Sequence, residues 1–174
     1  MSEPEELEPV DPRLYRELIG KFATGVGVVT ALHGERPYAM TANSITSVSL
    51  VPMLVLVSFM RDSDTGRAVH KSGRFGLSIL DSADGREIAR VCTGKLSADG
   101  DNQLAAIPTY TGPHDLRFIH GAIECLVCTV EQIHTIGDHD VVIARTEPVP
   151  AAQGTGDPLV FFDGSFWQLA QVPD

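Results

Sequence analysis

The segment Met53-Leu54-Val55-Leu56-Val57-Ser58-Phe59-Met60 is apolar at every position except one. A run this short, with β-branched and aromatic residues, reads as a strand, and its lack of alternation predicts burial on both faces. It places a sheet at the centre of the molecule. Other strand-like segments fall at residues 24–32, which run into the turn signal His33-Gly34, and at residues 75–80, 122–133, 141–144, 159–162 and 166–169. Helical signals are fewer. Asp11-Pro12 supplies an N-cap and a first-turn proline, and Leu14, Leu18, Ile19 and Phe22 give that segment one apolar stripe. Asp81-Ser82 caps a second helix running to about Cys92, and residues 66–71 form a short third. Strands that do not alternate regularly with helices argue against a doubly wound sheet. The pattern predicts a mainly β fold with inserted helices, antiparallel and barrel-like.

The 174 residues, 43% hydrophobic and 21% charged, suit one globular unit. Residues 1–10, acidic and Pro-bearing, read as a mobile tail, and residues 11–174 as a single domain. With 13 Lys+Arg against 23 Asp+Glu the formal net charge is −10. Such a chain repels phosphate backbones and anionic lipid, so neither nucleic acid nor membrane is expected as a partner. No apolar run approaches the ~20 residues of a membrane span. The opening MSEPEELEPV is the reverse of a secretory signal's cationic start, and the expected location is cytoplasmic.

Several familiar sites are absent. Gly25-x-Gly27 has Thr30 where a dinucleotide fingerprint needs a third glycine, and it lies inside a strand. Thr93-Gly94-Lys95 lacks the upstream glycine of a P-loop. Cys125-x-x-Cys128 sits in a strand-like stretch, where residues an odd number apart point to opposite faces. Those thiols read as small hydrophobes rather than metal ligands. His134 and His139 flank a turn with no carboxylate or cysteine set to complete a site, so no metal is expected. No nucleophile elbow occurs either. Residues 93–118, with Gly100, Pro108, Gly112 and Pro113, read as a long irregular loop of the kind that carries function or is ordered by a partner.

Three segments carry more information. Tyr38-Ala39-Met40-Thr41-Ala42-Asn43-Ser44-Ile45-Thr46-Ser47-Val48-Ser49 is dominated by small hydroxyl and amide side chains. Read as one strand bent at its end, it lets a flat polar ligand approach the main chain; read plainly, it is a Thr/Ser-rich edge strand. Arg61-Asp62-Ser63-Asp64-Thr65 feeds a helix N-terminus, which suits either a phosphate, with Arg61 and Lys95 as charge partners, or a simple cap. Gly137-Asp138-His139 is a hairpin turn whose imidazole can project over a cleft.

In order along the chain, these segments resemble the flavin reductase family, short NAD(P)H-dependent reductases on the FMN-binding split β-barrel. Phe22-Ala23-Thr24-Gly25-Val26 with Val28-Val29-Thr30 is similar to the family's opening, and residues 41–49 to its T-A-N-S-x-T-S-V-S core. Ser63-x-Thr65, Ser72-Gly73-Arg74-Phe75-Gly76, Gly137-Asp138-His139 and Asp157-Pro158-Leu159 with Gly164-x-Phe166 follow. The resemblance covers residues 11–169. It implies a Greek-key-like antiparallel barrel, a homodimer, and hydride transfer from NADH, less readily NADPH, to FAD or FMN. Reduced flavin would then pass transiently to a separate monooxygenase. It further implies that Thr41, Ala42, Asn43, Ser44, Ser47, Val48 and Ser49 line the flavin, with Ser58, Phe59 and Phe166 beside it. Ser63, Thr65 and Lys95 would hold its phosphates, and His139 of the Gly137-Asp138 turn would position the nicotinamide. No residue is expected to act as acid or base, because the two cofactors carry the reactivity. The competing expectations are a non-catalytic flavin or haem carrier on the same barrel, and an oxidase that keeps its flavin.

Overall fold

The computed structural model describes residues 11–93, 103–150 and 156–169. The acidic segment 1–10 and Lys95 lie outside them. After helix α1 (Pro12–Ile19) come β1 (Thr24–Gly25), β2 (Gly27–His33), β3 (Arg36–Ala42), β4 (Ile45–Leu50) and β5 (Met53–Met60). Helix α2 (Asp64–Ser72), β6 (Arg74–Ile79) and helix α3 (Gly85–Thr93) follow. The rest is β7 (Thr109–Thr111), β8 (Arg117–Ile119), β9 (Glu124–Ile136), β10 (His139–Pro148), β11 (Leu159–Phe162) and β12 (Ser165–Gln168). None of the helices is long and apolar enough to cross a membrane among the described residues.

Strand pairings among the described residues are all antiparallel. The main sheet has seven strands in the order β3-β2-β6-β9-β10-β5-β4, flanked by a β1-β11-β12 sheet and a β7-β8 pair. Hairpins β2–β3, β4–β5 and β9–β10 are local. Helix α2 carries the chain from β5 to β6, three places along the sheet, and β9 and β10 later fill the gap. That return is Greek-key-like, and the mainly β, antiparallel expectation with inserted helices holds.

Two sequence readings change. Residues 38–49 are not one bent strand: β3 and β4 occupy opposite edges of the seven-stranded sheet, and only Asn43-Ser44 joins them. The barrel is split at that point. The Ser44 hydroxyl ties the start of β4 to β5, accepting from Ser58 N at 3.2 Å and donating to Ser58 O at 3.0 Å. Nor is β5 buried on both faces. Val55, Val57 and Phe59 are buried, whereas Leu54, Leu56 and Ser58 are half-buried and Met53 and Met60 exposed. It sits next to the edge strand, where one face is only partly covered. The doubly buried strands are β2, with Val28, Val29, Thr30 and Ala31 in succession, and β6.

These strands separate two apolar clusters. One gathers Val28, Leu80, Ile88, Phe118 and Cys125; the other gathers Val29, Val57, Phe59, Phe75 and Cys128. Cys125 and Cys128 thus face opposite ways, as their spacing requires. The described part of residues 93–118 is not an open loop either. Leu104, Ile107, Leu116 and Phe118 are buried in the first cluster. Helix α1 forms as its cap predicts, with Asp11 Oδ1 accepting from Arg13 N at 2.9 Å, yet none of its residues is buried. Its end is held by Lys21, 2.6 Å from the Asp163 carboxylate.

Candidate functional site

A cavity of about 550 Å³ opens where the split edge of the barrel meets α3 and the β11–β12 hairpin. Val26, Thr41 and Asn43 form its sheet side. Arg90 and Thr93 enter from α3, and Phe161 and Phe166 from the hairpin. The size lies within the ~300–1,000 Å³ of small-molecule sites, and the mixture of aromatic walls with a few polar groups is typical of them. The two phenylalanine rings meet edge to face, centroids 5.6 Å apart. Arg86 Nη2 donates to the Phe166 carbonyl at 3.0 Å and fastens the hairpin to α3. Thr41 has a structural task as well. Its hydroxyl donates to the Ala89 carbonyl at 2.7 Å, tying β3 to α3.

A polar rim continues from Asn43 through the Ser44–Ser58 bridge. In register, Ser58 faces Val141 and Met60 faces His139 across β5 and β10. The β9–β10 turn is therefore brought beside the segment 61–65, and Arg61 N donates to Asp138 O at 3.1 Å. Gly137 adopts a φ of 60°, the left-handed conformation such a two-residue hairpin turn needs. His139 Nδ1 lies 2.7 Å from Asp138 Oδ1, which holds the carboxyl below the usual range and leaves Nε2 without a partner among the described residues. Asp140 accepts from the Thr135 hydroxyl at 2.7 Å and lies 3.0 Å from His70 Nε2. The Thr135 bond first, then His70, lowers its pKa.

The remaining expected residues are less available. Ser63 caps α2, accepting from Gly66 N at 3.0 Å, so the helix begins at Asp64 rather than Gly66. Thr65 is buried in its first turn, and Asp64 is paired with Arg67. Phe59 turns into the core against Phe75, centroids 6.1 Å apart, and is 1% exposed. Alternation along β5 gives the outer face to Ser58 and leaves Phe59 no surface for a ligand. Ala42 is buried. Ser47, Val48 and Ser49 lie on the edge strand β4, around a bulge and away from the cavity lining.

Val26, Arg90, Thr93 and Phe161 line the cavity without having been expected as site residues. The signal for Arg90 is its place four residues after Arg86, on one helical face. No group of His, Cys, Asp and Glu side chains among the described residues could hold a metal. Burial pushes the Cys92 thiol up to about 12 and raises those of Cys125 and Cys128. None is a nucleophile. The site can stack and orient flat ligands; among the described residues the cavity lining itself holds no carboxylate or imidazole.

Comparison with known proteins agrees with that geometry. The model of the flavin reductase like domain matches residues 19–170. An NADH-dependent flavin reductase of Rhodococcus sp is 34% identical over 168 residues, 94% of this chain and 90% of the relative. The reductase subunit HsaB of a flavin-dependent monooxygenase from Mycobacterium tuberculosis is 30% identical over 160 residues, covering 90% and 82%. Among solved structures, BorF, the flavin reductase component of a bacterial two-component tryptophan halogenase, superposes with a TM-score of 0.82 at 32% identity. It covers 93% of this chain and 100% of its own. The domain match spans most of the chain and coincides with the strands and hairpins that build the cavity: the chain belongs to the flavin reductase family.

Proposed function

We propose that this chain is an NADH-dependent flavin reductase that takes FAD or FMN as a substrate and releases it reduced to a separate monooxygenase. The observation that carries the reading is the cavity of about 550 Å³ with aromatic walls at the split of the barrel, whose lining among the described residues holds no carboxylate or imidazole. The nicotinamide supplies a hydride and the flavin accepts it, so the reactivity belongs to the ligands. The protein's work is to bind, orient and exclude water. Phe161 and Phe166 offer apolar faces to a planar ring, and Thr41 and Asn43 offer polar contacts beside it. Ser44 and Ser58 hold the split edge in place, and His139, with Nε2 unpartnered, is the proposed contact for the nicotinamide nucleotide. NADH is preferred to NADPH in this reading because the Rhodococcus relative is named for NADH. Release to a monooxygenase rests on the names of the mycobacterial subunit and the halogenase component. The proposed location is the cytoplasm, where nicotinamide dinucleotides are available.

A homodimer belongs to the same proposal. Leu50 is 83% and Val51 92% exposed at the tip of β4–β5, and Met53 beside them is half exposed. An apolar tip of this kind is what a second copy would cover.

The test is a steady-state comparison of FAD and FMN with NADH and NADPH. NADH consumption should require added flavin and exceed that with NADPH, and purified protein should be colourless. Oxidation independent of added flavin, or a flavin that stays bound through gel filtration, would remove this reading.

A further inference from the structure

We propose that Arg90 takes a phosphate of the nucleotide bound in the cavity; the role rests on the flavin reductase reading. Arg90 carries the only charge in the cavity lining among the described residues, where the other polar groups are Thr41, Asn43 and Thr93. A guanidinium presents a planar fork of donors matched to phosphate oxygens. In a chain of net charge −10, an unneutralised cation beside an apolar cavity is the group an anionic ligand would seek.

Its neighbour on the same face shows the contrast. Arg86 is committed to the Phe166 carbonyl, whereas Arg90 makes no hydrogen bond or ion pair among the described residues. Glu87, three residues before it, is exposed and does not pair with it. The backbone under Arg90 is fixed from two sides, because the hydroxyls of Thr41 and Thr93 both donate to the Ala89 carbonyl at 2.7 Å. The cation is held at the cavity by its helix and not by an ion pair.

The segment 61–65, the expected phosphate loop, is by contrast occupied. Ser63 caps its own helix and Asp64 is paired with Arg67, which also donates to Asp62 O at 2.8 Å. The carboxylates of Asp62 and Asp64 themselves oppose an anion there.

Equilibrium titration separates the sources of the phosphate. Riboflavin, FMN and FAD are titrated by flavin fluorescence, and NADH separately, against the full-length protein and its Arg90→Gln and Arg90→Lys variants. Arg90→Gln should weaken FMN and FAD about tenfold or more with riboflavin changed less than about twofold, and Arg90→Lys should recover part of the loss. If NADH weakens instead and all three flavins are unchanged, the phosphate is the dinucleotide's and the proposal stands. Unchanged affinities for every ligand, or riboflavin weakened as much as FMN, overturn it. Should Arg90→Gln melt early, Arg90→Met keeps the aliphatic stem on the helix and repeats the comparison. Wild-type protein that binds these nucleotides yet oxidises no NADH would sink the reductase reading alone.

Discussion

At residue scale, space is the discriminating quantity. A Cβ on Gly76 would stand 2.7 Å from Thr30 Oγ1, 2.9 Å from the Phe118 ring and 3.2 Å from the Arg117 carbonyl. These neighbours are locked to one another, since Thr30 Oγ1 donates to Arg117 O at 2.5 Å. Interiors at crystal-like density have no slack to accept the added methyl. Gly76→Ala should therefore destabilise by about 1–3 kcal/mol. Gly25, in the opening motif, meets nothing within 4 Å, and Gly25→Ala should stay within about 0.5 kcal/mol of wild type. Urea unfolding of the two variants checks the pair. Equal losses would mean that the contacts around Gly76 do not govern its tolerance.

At element scale, the β9–β10 hairpin carries both a proposed site residue, His139, and a charge network. Thr135 and His70 both reach the Asp140 carboxylate, and both lower its pKa in the folded state. A depressed carboxyl contributes stability that is fully present above its unfolded value, near 3.8, and is lost as pH falls through the lower folded value. Asp140→Asn should lower the urea midpoint at about pH 6 and approach wild type as the pH falls below that unfolded value. A difference that does not shrink on acidification would assign the effect to the shape of the turn instead of its charge. Because Arg61 N donates to Asp138 O of the same turn, loosening it should reach the rim of the site.

At the scale of the whole molecule, the unsatisfied feature is exposed apolar surface. Leu14, Leu18 and Ile19 form the stripe of α1 and Phe22 follows just beyond it, yet all are exposed, and Phe22 is 71% so. With the β4–β5 tip, they make up bare apolar surface of the kind that a partner covers. The proposed dimer would cover part of it, and light scattering after gel filtration should give about twice 18.7 kDa. A mass of one chain across working concentrations would remove the dimer and leave those faces to another partner.

Local chemistry made much of the molecule legible. The turn residues at Gly137-Asp138 between two strand-like segments located the β9–β10 hairpin, Asp11-Pro12 located α1, and the three-residue spacing of Cys125 and Cys128 put them on opposite faces. Each of these depends on neighbours in the chain, and the sequence by itself determined them. It did not determine which face of β5 would be covered, that β3 and β4 would part at Asn43 to opposite edges, or that Ser63 would spend its hydroxyl on its own helix. Nor could it place Arg90 opposite Phe161 and Phe166, seventy or so residues further along, in one cavity. Strand order is chosen by long-range pairing and by competition among apolar faces for a common core. Those free energies belong to the assembled sheet and to no single segment.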